Sequence, residues 1–309
     1  MRWLAAADHE SPEILKIKKI KTELARGVDL TRAGGLSAGL RFGYEEILRN
    51  TWLRTAALVV STDGGAVQCN VCGWSGRRFL SHCAVAYVDR NSFCPRCRSY
   101  PRHRGFAWLW KEYVRAELEY LKGSSGLKLA FAPERGMLDL FETHLGPIAG
   151  VDLDPSNKLA RYREDLQHLT FVDGSVDFVS CFHVLEHVPD DRRALQELWR
   201  VLSKEGRVVL CVPITFGRAE TRDFGGPNAL LNGHCFDYGE DFPERLMKAG
   251  FSGESFQIDE LVPQELHRRL ALTKESFFLL RRAGPGEEAR IEPQLTLARK
   301  PSRAVAAVV

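Results

Sequence analysis

Residues 69–72 read Cys-Asn-Val-Cys and residues 94–97 read Cys-Pro-Arg-Cys, so two cysteine doublets stand with 21 residues between them. Two thiolates three positions apart on one tight turn reach the same ion, and a second such turn completes the tetrahedral sulfur shell that structural zinc prefers. Cys69, Cys72, Cys94 and Cys97 are therefore the expected ligands of a zinc ribbon, and Pro95 suits the turn of the second doublet. Cys83, beside His82, is an alternative ligand. A closed shell of four sulfurs leaves no position for substrate, so the metal is expected to hold structure while the chemistry lies elsewhere.

The 309 residues allow one large domain and a small one. A hydrophobic share of 44% is ample for a packed core. The apolar start at Met1–Ala7 meets Asp8, His9 and Glu10 too early for a secretory signal, and the apolar run 56–60 is far short of a membrane span, so a cytoplasmic location is expected. In that reducing setting Cys181, Cys211 and Cys235 are expected as small buried apolar side chains.

Net charge is +3, but its distribution is uneven: between Cys69 and Gly105 seven arginines (Arg77, Arg78, Arg90, Arg96, Arg98, Arg102 and Arg104) face one acid, Asp89. Such a basic ribbon suits phosphate groups, including those of nucleic acid. It equally suits solvation of a small domain or a clamp onto an acidic face of the larger one, and no nucleic-acid motif accompanies the charge.

From Gly126 onward apolar runs alternate with helical stretches, the pattern of a parallel α/β sheet. Strands are expected at 127–132, 148–152, 176–182 and 207–214, and helices at 136–145 and 190–202. The runs 251–258 and 276–280 read as final strands able to pair antiparallel at one edge. The resulting division is an N-terminal helical segment at 1–67, a zinc ribbon at 68–105, a helical connector at 106–125, the α/β domain at 126–283 and a flexible tail at 284–309. Within the first segment, helices are expected at 12–26 and 44–60.

The stretch Asp173–Gly206, with Phe182-His183 and Glu186-His187 at its centre, resembles the middle of class I S-adenosylmethionine-dependent methyltransferases, and the strand pattern extends the likeness over most of 126–283. The ribbon run 94–104, followed by Ala132-Pro133-Glu134, resembles a bacterial subgroup in which a zinc ribbon precedes such a domain. The resemblance implies a Rossmann-like sheet, S-adenosylmethionine as cofactor and methyl transfer to an oxygen or nitrogen acceptor, of small-molecule or glycan type.

It also implies roles for particular residues. Phe131, Ala132, Pro133, Glu134 and Gly136 correspond to the loop beneath the cofactor's methionine part, with Glu134 on its ammonium group, although the family's G-x-G is missing. Asp152, with Asp154 as neighbour, corresponds to the acid that takes the ribose hydroxyls, and Asp165 with Leu166 to the adenine contact. His183 falls where the fourth strand ends and faces the transferring methyl. His183, Glu186, His187 and His234 are the groups available to take the acceptor's proton. The same four residues resemble the divalent-ion site of some magnesium-dependent methyltransferases, with His183 in place of a glutamate and hence a softer ligand set.

Two other readings carry different expectations. A ribbon protein that binds nucleic acid or a protein partner beside a degenerate, inactive α/β domain would also lack the loop glycines. A dinucleotide dehydrogenase would show G-x-G-x-x-G after its first strand, where this chain has Ala-Pro-Glu-Arg-Gly.

Overall fold

In the α/β region the apolar runs are buried on both faces, as central strands of a parallel sheet must be. The computed structural model describes residues 28–29, 31–32, 34–49, 66–83 and 88–294. The helix expected at 12–26 and most of the one expected at 44–60 lie outside them. A helix over residues 34–49 (α1) comes first.

The segment expected as a ribbon follows as two antiparallel strand pairs: β1 (Val67–Gln68) with β2 (Ser75–Gly76), and β3 (Leu80–Cys83) with β4 (Val88–Phe93). Its core is thin, with Trp74 packed on Phe79 at 5.4 Å between ring centres and with Cys69 and Cys94 fully buried. Such a core needs a further staple. Helix α1 docks on the second hairpin through Glu45, a buried acid that accepts from Ser81 Oγ at 3.0 Å and from Arg90 at 2.9 Å.

Helix α2 (Pro101–Leu109) begins inside the range assigned to the ribbon, with proline in its first turn, where no N–H is needed. It runs on through Trp110–Val114 and Arg115–Leu118. Eight strands then form the main sheet: β5 (Leu127–Phe131), β6 (Ala149–Val151), β7 (Ala160–Tyr162), β8 (Val176–Phe182), β9 (Leu202–Val212), β12 (Phe251–Gln257), β13 (Ser276–Arg282) and β14 (Ile291–Gln294). Between β9 and β12 lies a separate hairpin of β10 (Arg222–Asn228) and β11 (His234–Asp237). The sheet order is β14-β12-β13-β9-β8-β5-β6-β7. The five strands β9, β8, β5, β6 and β7 are parallel, and β13 runs antiparallel to both neighbours. This is a Rossmann-like α/β fold.

Alternate side chains divide between two cores. Leu129, Phe131, Val179, Cys181, Val208 and Leu210 face α4 (Asp191–Val201) and α5 (Phe242–Lys248). Ala130, Phe178, Phe182, Val209 and Cys211 face α2 and α3 (Arg135–Leu145). Burying a ring such as Phe141, which is fully enclosed, contributes about 2–3 kcal/mol. Helix α4 starts as its sequence dictates, with the Asp190 side chain accepting from Arg193 N–H.

The tail expected from residue 284 is corrected in its first part. Gly284–Gln294 turns back, held by Arg281 and Glu287 at 2.6 Å, and β14 pairs in parallel with β12 from Gly253↔Ile291 to Phe256↔Gln294.

Candidate functional site

The four ribbon sulfurs converge. Cys69 Sγ lies 3.6 Å from Cys97 Sγ, and Cys72 Sγ lies 3.7 Å from Cys94 Sγ. All four fall within 4.8 Å of one another. A Zn–S length of about 2.3 Å sets tetrahedral sulfurs about 3.8 Å apart, so the quartet fits such an ion. The two doublets share one backbone plan: Gly73 N–H donates to Cys69 O and Arg98 N–H to Cys94 O, and both donors have positive φ, 76° and 63°. Cys83 is not part of the quartet. It packs on Phe42 with its thiol against Arg41 O.

A second convergence lies at the carboxyl edge of the parallel strands. The register Phe131↔Val151 and Phe131↔Cys181 brings the ends of β5, β6 and β8 level. Ala132 therefore neighbours Asp152 on one side and the Phe182-His183 junction on the other. Ala132 has φ 44°, so a turn that suits glycine is made here by the smallest side chain able to enter left-handed space. Gly150 lets that turn settle, since a Cβ there would lie 2.8 Å from Pro133 Cγ and 2.3 Å from Leu159 O.

Asp152 is half-buried and fixed by Asp154 N–H on Oδ1 (2.9 Å) and Asn157 Nδ2 on Oδ2 (2.8 Å). Asp154 is exposed and occupied by Ser156, whose backbone N–H and hydroxyl hold its carboxyl below the usual range. Asp165 accepts from Gln167 N–H at 2.9 Å, and Leu166 beside it is buried. Gly136 is set by the ribbon: a Cβ there would come 2.9 Å from Val71 of the first doublet.

Glu134 meets two partners from the start of α2. Arg102 donates to Oε1 at 2.9 Å, and His103 Nε2 lies 2.8 Å from Oε2. Because Tyr100 N–H donates to His103 Nδ1 at 3.1 Å, the proton of neutral His103 sits on Nε2 and points at Glu134. Burial, aided by Arg102, holds His103 well below the usual histidine range. Burial also pushes Glu134 up against the opposing pull of Arg102.

His183, with φ 53°, stands between two carboxylates. Glu186 Oε1 is 3.3 Å from Nδ1 and Glu275 Oε2 is 3.4 Å from Nε2. Glu186 is fully buried, and burial raises its pKa despite His183 and His187 nearby. Glu275, at the foot of β13, stays below its usual range because His183 and Arg102 outweigh its burial. Cys211 brings its sulfur 3.6 Å from Glu275, so it is buried but not purely apolar in its surroundings. His187 and His234 meet edge to face at 4.7 Å, and burial followed by His187 lowers His234 to about 4. The four residues grouped from sequence fall into two clusters joined by the His183–Glu186 contact. Glu186, His187 and His234 cluster together, while His183 clusters with Cys211 and Glu275.

The basic ribbon is also partly spent on internal contacts. Arg104 is completely buried, stacked 3.9 Å over Phe79, and donates to the carbonyls of Ser92, Ser99, Leu270 and Ala271. Arg90 serves Glu45 and Arg102 serves Glu134. Arg77, Arg78, Arg96 and Arg98 are exposed. Sequence spacing missed His103 and Glu275 as site residues and read Arg102 only as one of the ribbon's arginines, because each meets its partner only through the fold.

Residues 131–210, about a quarter of the chain, match the methyltransferase domain family. The chain is similar to the solved 1,6-didemethyltoxoflavin-N1-methyltransferase of Burkholderia thailandensis, with 14% identity over 60% of this chain and 88% of that one and a TM-score of 0.41. It is also similar to an S-adenosylmethionine-dependent methyltransferase from Mesorhizobium loti, with 18% identity over 54% and 98% and a TM-score of 0.40. No curated protein matches it in sequence. The methyltransferase domain at 131–210 makes the chain an enzyme. Among the described residues no helix is long and apolar enough to cross a membrane.

Proposed function

We propose that this enzyme methylates a hydroxyl or amine on a small molecule or glycan, with a structural zinc in its ribbon. The observation that carries the placement of the cofactor is the level ending of β5, β6 and β8, which gathers the 131–134 turn, Asp152 and His183 at one sheet edge. Ligands of open α/β sheets bind at that edge. S-adenosylmethionine, when bound, supplies a methyl group already activated on a sulfonium. The chain's own residues then align and deprotonate the acceptor.

Asp152 is suited to the two ribose hydroxyls, since its carboxylate is pinned from below and half-exposed. Asp165 and Leu166 are suited to the adenine, one polar and one apolar wall. His183 faces a carboxylate with each ring nitrogen, Glu186 at 3.3 Å and Glu275 at 3.4 Å, which fixes the ring at the sheet edge. His187 and His234, in edge-to-face contact, are further groups able to take the acceptor's proton, with His234 neutral above about pH 4.

The internal use of Arg90, Arg102 and Arg104 favours a small acceptor over nucleic acid, because it shrinks the charged face a phosphate backbone would need. Four cysteine sulfurs at tetrahedral spacing leave the metal no open position, so zinc here holds the ribbon. Calorimetric titration with S-adenosylhomocysteine tests the cofactor placement: micromolar or tighter binding, weakened by Asp152→Ala, is expected, and no binding by the wild-type chain overturns it.

A further inference from the structure

Arg102 is the residue that the ribbon's charge and the sheet's chemistry share. It lies five positions beyond Cys97, outside the matched methyltransferase domain, yet its guanidinium reaches Glu134 at the end of the turn after β5. The side chain is only 18% exposed and lies 4.5 Å over the Tyr100 ring. Its Nε is buried without a hydrogen-bond partner, so a donor at this spot is left unused. Glu134 is more open, at 38%, and each of its oxygens has one partner, leaving lone pairs available. His103 locks the second oxygen and, being neutral, adds no charge of its own.

An α-amino acid end carries an ammonium and a carboxylate side by side. A fixed glutamate beside a fixed arginine is its mirror in charge, and guanidinium is the side chain best matched to a carboxylate. Resting on the cofactor placement proposed above, we infer that Arg102 binds the carboxylate of the cofactor's methionine end while Glu134 takes its ammonium. His103 is a positioning residue that keeps Glu134 in place. The cofactor site is thereby completed by a helix that belongs to the ribbon's end of the chain.

The test is a pair of titrations on the full chain, with S-adenosylhomocysteine and with 5′-methylthioadenosine, which keeps the adenosine and thioether but lacks the amino-acid end. Arg102→Met is expected to weaken S-adenosylhomocysteine roughly 10- to 100-fold, the worth of one charged hydrogen-bonded contact. It should leave methylthioadenosine unchanged, and Arg102→Lys should recover part of the loss. Glu134→Gln, which keeps shape, should show the same selectivity and covers the case in which Arg102→Met does not fold. Equal weakening of both ligands, or of neither, overturns the inference while the cofactor placement stands. A wild-type chain that binds neither ligand removes the placement itself.

Discussion

Ala132 and His183 end neighbouring parallel strands in the same left-handed conformation, with φ of 44° and 53°. Two non-glycine residues so placed store about 1–2 kcal/mol each, and they flank the edge proposed to take the cofactor. Ala132→Gly relieves the strain but loosens the unfolded chain by about 0.5–1 kcal/mol, so its net effect should be a gain of at most about 1 kcal/mol. Ala132→Val, branched at Cβ, should cost about 1–3 kcal/mol. Urea unfolding of both variants checks the order Gly, wild type, Val.

The sulfur quartet predicts one tightly held zinc per chain. Cys72→Ser should lose it, and a chelator should loosen the ribbon before the main sheet melts. Metal analysis of the purified protein, with amide exchange followed during chelation, provides the check. Protein free of zinc, or a Cys72→Ser variant that retains it, contradicts the assignment.

Asp152→Ala removes a charged, bidentate acceptor. A loss of about 2–3 kcal/mol is expected, which corresponds to roughly 30- to 150-fold weaker S-adenosylhomocysteine binding. Asp154→Ala should change affinity far less, since Asp154 is turned to Ser156.

Arg104→Met keeps the length of the side chain but leaves four carbonyls without their donor. A loss of about 3–5 kcal/mol is expected, because a buried charged group has been removed from partners that remain. Exposed Arg77→Met, in contrast, should stay within about 0.5 kcal/mol of wild type. Thermal melts of the two variants decide whether the ribbon's arginines act in the same way or not.

His234 predicts an acid-side loss of stability. Its pKa falls from 6.5 to about 4 on folding, so between those values the unfolded chain binds the proton and the folded chain does not. Stability should therefore fall as pH drops from about 6.5 to about 4. His234→Gln should flatten that slope, which denaturant midpoints measured across this range will show.

The parallel strands were legible in sequence because a strand buried on both faces is an unbroken apolar run, as in 176–182 and 207–212. The hairpin β10–β11 was not, since 222–228 carries charges, glycines and a proline with almost no buried face. Strand β14 escaped for a related reason: it adds backbone hydrogen bonds at a sheet edge while its side chains stay largely in solvent. The cysteine quartet was plain because spacing alone encodes it. Glu275 was invisible because nothing near it in sequence hints at His183. The arginines suited a phosphate-binding face, solvation or a clamp onto the larger domain, and Arg104 is fully buried and Arg102 nearly so, since only packing distinguishes a solvated cation from an internal one.

Arg104 donates to Leu270 and Ala271, 166 and 167 residues further along the chain. A ribosome makes the ribbon first and these carbonyls long afterwards, and at ordinary elongation speeds of about 5–20 residues per second the interval is about ten to thirty seconds. Throughout it the buried guanidinium has only the ribbon's own carbonyls, Ser92 and Ser99, to satisfy it. Early capture of metal would keep the hairpins in shape during that wait, and in a growing chain the filled sulfur site would then act as a latch, holding one half of a joint until the other half is synthesised.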